Sequence, residues 1–347
     1  MKFKCFLILV VAIFIIHPNY VVGDDSAFWG NGYTVFPLKT NDIQLVSENI
    51  KIVDLQSLPE LIPKELKFNH NPDRWLVEAE LIFKNFGDDT SIQMGFPFQE
   101  DYGDDEEGTG YPRDFRTWVD GKRVKIIIKK GTNNPLWKQA GLKFKKIYIF
   151  TVHFQKGQII RIKHLYTVGG AMVSDGEWGF SYILRTGALW KGDIEDFKAE
   201  YLTKVGNVYC ITPEPSTSSI SGNKIILNWS YKNFKPDEDI RISNIPLGIP
   251  ILAEKANVKT SNDVPLLYKT SLAEFFSSTN TNDLSEVNEC GLRFIRNSIF
   301  ANYGYPFKIP WIRAQFYFPG SVYKEDPAFS INKIPKKILQ FLSHLGK

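Results

Sequence analysis

The sequence predicts a mainly β protein with a small α module: an antiparallel β-sandwich region followed by a C-terminal helical domain. Three observations carry this reading. Aromatic residues make up 14% of the 347 residues and gather in alternating runs, which suits a pleated, half-buried surface. From residue 24 to residue 245, Pro and Gly punctuate nearly every junction and no helical stripe exceeds two turns, the layout of strands joined by turns. From residue 283 onward the apolar period lengthens to that of a helix.

The strands follow in order. Ile43 to Val53 contains the partial alternation Ile50-Lys51-Ile52-Val53. Trp75, Val77, Ala79, Leu81 and Phe83 fall on one side of the next segment and Glu78 and Glu80 on the other, the period-2 pattern of a half-buried strand. Ile92 to Phe98 is another. Phe115 to Val119 and Val124 to Ile128 flank Asp120-Gly121, which supplies positive φ for a tight hairpin. Ile147 to Phe154 and Ile159 to Val168 read as a second hairpin around Lys156-Gly157. Strands at Phe197–Leu202, Ile225–Trp229 and Ile240–Ile245 complete the region.

The amino terminus reads as a secretory leader. Lys2 and Lys4 precede an apolar run from Cys5 to Ile16, and Val21-Val22-Gly23 offers small residues before a cut near Gly23. The run is too short to span a bilayer stably, and no later segment reaches the ~18 apolar residues of a membrane helix. The expected organisation is a signal peptide at 1–23, the sandwich at 24–245, a connector at 246–282 and the helical module at 283–347. Removal of the leader leaves 40 basic and 38 acidic residues, interspersed along the chain. That balance argues against nucleic acid as a partner. In an oxidising exterior the two remaining cysteines, Cys210 and Cys290, are a candidate disulfide; two separate buried thiols are the alternative.

In the C-terminal segment, Asp283 and Glu286 form a helix start signal, with Ser285 an alternative cap. Leu292, Ile295 and Ile299 make one stripe, and Gly304 falls where a glycine stops a helix. Pro310 opens a second helix through Phe316 or Tyr317, and Ile334 to Leu345 suggests a third. The string Leu292-Arg293-Phe294-Ile295-Arg296-Asn297-Ser298-Ile299-Phe300-Ala301-Asn302-Tyr303-Gly304-Tyr305, with Phe307 and Trp311 behind it, resembles the YARHG domain of exported bacterial proteins. Where that signature runs Tyr-Ala-Arg-His-Gly, this chain has Phe300-Ala301-Asn302-Tyr303-Gly304. The resemblance implies a periplasmic or extracellular address, not an activity. The strings from Tyr182 to Gly192 and from Trp229 to Ile240, with Gly95-Phe96-Pro97 and Val119-Asp120-Gly121, resemble a β-rich exported bacterial family of unknown function.

Arg293, Arg296 and Asn297 share a helix face away from the apolar stripe. With Tyr303, Tyr305 and Trp311 they form a candidate binding surface, Arg forks for anions and flat rings for glycans. The same residues also suit a structural role, tying helices together in a module of roughly 60 residues with little core to spare. Asp104 and Asp105 lie in an acidic run, Glu100 to Glu107, that is a weak Ca²⁺ candidate because it lacks the spacing of a preorganised loop. The Asn228-Trp229-Ser230 triplet matches a glycosylation acceptor. His153 and His164, if their hairpin closes in two residues, lie about 13 Å apart and share no metal. No metalloprotease, nucleophile-elbow, phosphate-loop or zinc spacing occurs in the sequence, so no cofactor and no catalytic residue is nominated. The expected function is an exported cell-envelope protein of non-enzymatic binding or structural type. Its expected partner is a cell-wall polymer or another envelope protein, contacted through the C-terminal module. The alternative is a secreted hydrolase using a carboxylate pair, with Glu78, Glu80 and the Asp193–Glu195 region as sources.

Overall fold

The computed structural model describes residues 21–22, 26–29, 36–38, 41–63, 74–99, 112–130, 146–169, 171–172, 178–243, 289–318, 321 and 323–344. Along the chain run β1 (Val21–Val22), β2 (Ser26–Trp29), β3 (Phe36–Leu38), β4 (Ile43–Asp54), β5 (Trp75–Asn85), β6 (Thr90–Gln99), β7 (Pro112–Val119), β8 (Lys122–Arg123) and β9 (Ile127–Lys130). Then come β10 (Lys146–Phe154), β11 (Ile159–Val168), β12 (Ala171–Met172), β13 (Trp178–Tyr182), β14 (Ile194–Lys204), β15 (Cys210–Thr212), β16 (Thr217–Ser221), β17 (Lys224–Phe234) and β18 (Ile240–Ser243). The helices are α1 (Glu289–Asn302), α2 (Pro310–Phe316) and α3 (Lys336–His344). The acidic run at 100–107, the predicted connector and the cap at Asp283–Glu286 lie outside the described residues.

Two sheets form a sandwich. One follows the order β15-β18-β13-β1-β6-β10-β9, with β12 beside β13 and the β2–β3 pair beside β6. The other follows β16-β17-β14-β4-β5-β11-β7-β8. Pairing is antiparallel except between β14 and β4 and between β1 and β13. β5 buries Trp75, Val77, Ala79, Leu81 and Phe83 on its inner side, as its alternation predicts. Opposite them, Met94, Phe96, Phe150, Val152 and Phe154 close the core from the other sheet. A bulge in β4 between Leu45 and Ser47 inserts one residue relative to β5. It switches the buried phase from Ile43 and Leu45 to Glu48, Ile50 and Ile52. Glu48 is thereby carried inside, where the Tyr182 hydroxyl of the facing sheet donates to its carboxylate at 3.2 Å.

Asp120-Gly121 closes the β7–β8 hairpin as expected, both residues at positive φ. The strand expected at Val124–Ile128 is kept only at Ile127–Ile128, and residues 124–126 cross between the sheets outside any strand. Lys122–Arg123 pairs with β7 in one sheet, and Ile127–Lys130 pairs with β10 in the other. The expected second hairpin is also corrected. β10 pairs with β6 and β9, whereas β11 pairs with β5 and β7. The Lys156-Gly157 turn, Gly157 at φ +75°, is therefore an arch between sheets. It stacks on the β5–β6 arch, and buried Asn85 ties the two. Its side-chain amide donates to the carbonyls of Asp88 (2.8 Å) and Gln155 (3.1 Å), and its backbone N–H donates to Gln158 (3.0 Å). His153 consequently faces solvent beside Ser91, and His164 lies in the core against Thr117 and Phe115.

A second buried carboxylate fixes the 3-10 turn Arg185–Leu189. One oxygen of Asp239 accepts the backbone N–H groups of Leu184 and Arg185, and the other accepts the Arg185 guanidinium at 2.8–3.0 Å. Removing such a carboxylate strands a half-buried cation and two amides. Asp239→Ala is expected to lower unfolding free energy by about 3 kcal/mol, read from urea denaturation. A change within the scatter of surface substitutions would contradict this role.

Candidate ligand-binding groove at the C-terminal module

Helix α1 ends on a Schellman motif. Gly304 sits at φ +82°. Its N–H donates to Ala301 at 2.9 Å and the Tyr305 N–H to Phe300 at 3.0 Å. The Phe300 and Tyr305 rings meet across the stop at 5.3 Å. The chain leaves it towards α2, which opens with Pro310 and has no side-chain cap of its own. The Trp311 N–H instead donates to the Ser218 hydroxyl of β16 at 3.2 Å, so the sheet edge serves the helix start. The Gly206 N–H donates to the Ala314 carbonyl (2.9 Å), and the Gln315 amide to Tyr209 (2.9 Å). These bonds lay α2 against β16 and the segment that follows β14, and the helix also contacts β17.

The stripe residues Ile295 and Ile299 are fully buried, with Phe294, Phe307, Phe316 and Ile338, in a small core of the module. Trp311 and Ala314 point the other way and belong to the core between the two sheets.

Between the module and β16 lies an open groove of about 550 Å3, lined by Ile220, Pro306, Phe307, Lys308, Pro310, Arg313 and Glu325. Its floor is apolar. Arg313 and Glu325 form a bidentate pair at 2.6–3.1 Å, and the hydrogen bond to Glu325 holds the Arg313 guanidinium above its ordinary pKa. Lys308 is exposed and has no acidic partner among the described residues. Nearby, Asp326 pairs with Lys333. Hydrogen bonds from Lys333 and from the Ala328 N–H lower the Asp326 pKa below the usual carboxylate range.

The residues nominated from sequence take distinct places. Arg293 is half-buried. Its guanidinium lies 5.1 Å over the Trp311 ring and pairs with Glu214 of the sandwich. Trp311 is only 2% exposed, and Asn297 is buried. Tyr305 is half-buried against Phe300, Phe307 and Phe329, and Tyr303 is half-buried in the same module core. Arg296 is half-buried on α1. Arg293 and Trp311 are thus brought together, at the seam between module and sandwich. Asp104 and Asp105 lie outside the described residues, as does the side chain of Cys290; Cys210 is disulfide-bonded.

Glu78 and Glu80 project from the outer sheet face and pair with Lys163 (2.8 Å) and Arg161 (2.9 Å). Asp193 and Glu195 are exposed. Sequence reasoning did not find the buried Glu48 or Asp54. Asp54 accepts from Thr203 at 2.8 Å and lies 3.6 Å from Arg74. Six residues of one strand separate the two carboxylates, about 20 Å, so they do not form a reacting pair. The groove itself was also missed, because Ile220 and Pro306 come together only in the fold.

Comparison with known proteins agrees with this architecture. Residues 270–345 match the YARHG domain, so the chain carries that domain at its C-terminus. A search of curated proteins found no match. Among solved structures, the chain is similar to a protein of Legionella pneumophila subsp. pneumophila str. Philadelphia 1 described as a candidate nutrient-binding protein. Identity is 22%, the match covers 94% of this chain and 97% of that one, and the TM-score is 0.50. That similarity shows a shared fold along nearly the whole length. An M1 zinc metallopeptidase from Deinococcus radiodurans matches with a TM-score of 0.32 at 9% identity, over 60% of this chain and 43% of that one. So low a similarity carries no argument about activity.

The helix stop offers a direct test. A Cβ on Gly304 would meet the Asp326 Cβ at 2.6 Å and its backbone N at 3.1 Å, in a conformation that L side chains rarely adopt. Gly304→Ala is expected to cost roughly 3 kcal/mol in chemical denaturation. No loss, or the gain of about 0.4–1 kcal/mol that alanine brings at an unstrained site, would refute the assignment.

Proposed function

We propose that the chain is an exported cell-envelope binding protein that takes its ligand, a cell-wall polymer or another envelope protein, through the groove between the C-terminal module and β16. The groove carries the reading: an apolar floor with an unpaired cation on its rim, built jointly by two parts of the chain. Pockets of this kind, mostly apolar with few polar groups, are the usual form of ligand sites. Three further facts support the reading. The leader-like amino terminus and the YARHG domain fit export. Among the described residues no helix is long and apolar enough to cross a membrane. The Legionella protein of similar fold is described as a candidate nutrient-binding protein.

The same reading places a signal peptide at 1–23, the sandwich at 24–245, a connector at 246–282 and the module at 283–347. Cleavage after Gly23 takes β1 out of the sheet, where it joins β13 to β6. We take Cys290 as the partner of Cys210. Cys5 lies in the leader, and α1, which carries position 290, packs against β15, which carries Cys210. The bond would staple module to sandwich.

Two measurements follow. Mature protein is expected to be retained at low salt by purified cell wall or by envelope extract. Ile220→Glu and Lys308→Glu, both at exposed positions, should weaken retention by about tenfold, the effect of ~1.4 kcal/mol. Wild-type protein that binds neither material contradicts the binding reading. Retention unchanged in both variants moves the ligand off the groove. Separately, non-reducing peptide mapping should join the peptides containing Cys210 and Cys290. Cys210→Ser should then cost about 4 kcal/mol of stability for a loop of that length. Any other pairing refutes the staple.

A further inference from the structure

The segment Lys122-Arg123-Val124-Lys125-Ile126-Ile127-Ile128-Lys129-Lys130 holds five cations and no acid. It crosses from one sheet to the other along a single side of the sandwich. β8 ends the eight-stranded sheet, and β9 ends the main path of the ten-stranded one. Val124 and Ile126 anchor the crossing by packing on the core. Ile127 and Ile128 do not; they are 54% and 57% exposed. Among the described residues β9 pairs with β10 alone. Alternate residues of an antiparallel edge strand turn their N–H and C=O groups outward, unpaired. Lys122, Arg123 and Lys125 are exposed, Lys129 is half-buried, and none of the four has an ion pair among the described residues.

We propose that β9 is a docking edge for an extended acidic peptide segment of a partner protein, added as a further strand. Successive side chains of a strand point to opposite faces, so Ile127 and Ile128 flank the edge on both sides. A strand laid in the plane of the sheet covers both at once through its own cross-strand neighbours. Its backbone satisfies the open N–H and C=O groups, and its carboxylates answer Lys125 and Lys129. An anionic membrane would meet the same charges and isoleucines. Edge-on insertion, however, would bury unpaired backbone groups in hydrocarbon. Lysines alone on an edge are a common guard against pairing; two exposed isoleucines are the opposite of a guard.

The test uses the mature chain and an N-acetylated heptapeptide alternating glutamate with isoleucine. The expected result is binding that protects the amides of Ile127–Lys130 from hydrogen exchange. Binding should weaken about tenfold in the Lys125→Glu/Lys129→Glu double variant and fall with added salt. Backbone N-methylation of the peptide, which keeps its side chains, should abolish protection, and Ile128→Thr should weaken it without shifting thermal stability. Four results overturn the proposal. The peptide fails to bind, or an all-glutamate heptapeptide protects β9 equally well. Phosphatidylglycerol vesicles bind where the peptide does not. Or charge reversal induces self-association and leaves peptide binding unchanged, which would make the lysines guards only.

Discussion

Trp311 belongs to a seven-residue helix near the carboxyl end, yet it is part of the sandwich's hydrophobic core and not of the module's. Much of the module's placement depends on that insertion. An indole buried to this degree contributes on the order of 3–5 kcal/mol by its loss on truncation, a large part of a domain's net stability. Around it, the sandwich meets polar groups at both ends of the short helix. Ser218 accepts the first free N–H, Gly206 donates to the Ala314 carbonyl, and Glu214 holds the Arg293 that covers the ring. A module of this size has too little core to be secure by itself. It gains a second one by lending its largest side chain to its neighbour. The groove beside Ile220 is the remainder of this junction, the part of the seam that the module does not fill.

The sandwich was legible where the information is local. The alternation of β5, the positive-φ pair Asp120-Gly121 and the glycine stop at Gly304 each depend on a few adjacent residues, and the fold keeps all three. Where partners are remote, local signals mislead. Lys156-Gly157 has the chemistry of a hairpin turn, and both flanking strands alternate as a hairpin requires. The choice between hairpin and arch is made elsewhere, by β5 and β6, which each claim one of the two strands, and by Asn85, which joins the arches. Similarly, Glu48 faces the core only because a bulge two residues earlier shifts the phase of β4, and no residue type in that stretch announces a bulge.

The candidate site shows the same division. Sequence placed Arg293, Arg296 and Asn297 on one helix face, which is geometry internal to a helix. It did not show what lies opposite that face. In the fold Arg293 meets Trp311 and Glu214, both remote in sequence, so its cation is committed to the seam. Lys308 and Ile220 drew no attention in the sequence, because a single exposed lysine and a single exposed isoleucine are ordinary. Their meaning comes from the apolar floor that Pro306, Phe307 and Pro310 bring beside them.

The departure of this chain from the YARHG signature has a physical interpretation. Phe300, Ala301 and Gly304 are the residues the helix stop uses. Phe300 supplies the carbonyl and ring that meet Tyr305, Ala301 is buried at 1% exposure in the module core, and Gly304 takes the left-handed turn. Asn302 and Tyr303 stand where the signature has Arg-His. Asn302 is exposed, Tyr303 is half-buried, and neither side chain is needed to close the Schellman motif. A chain can therefore keep the aromatic, the alanine and the glycine for folding while the two positions between them vary with what the surface contacts. The signature residues retained here are the ones that shape the backbone. Of the two replaced, Asn302 faces solvent outright, so a difference in surface chemistry at this stop leaves the fold intact.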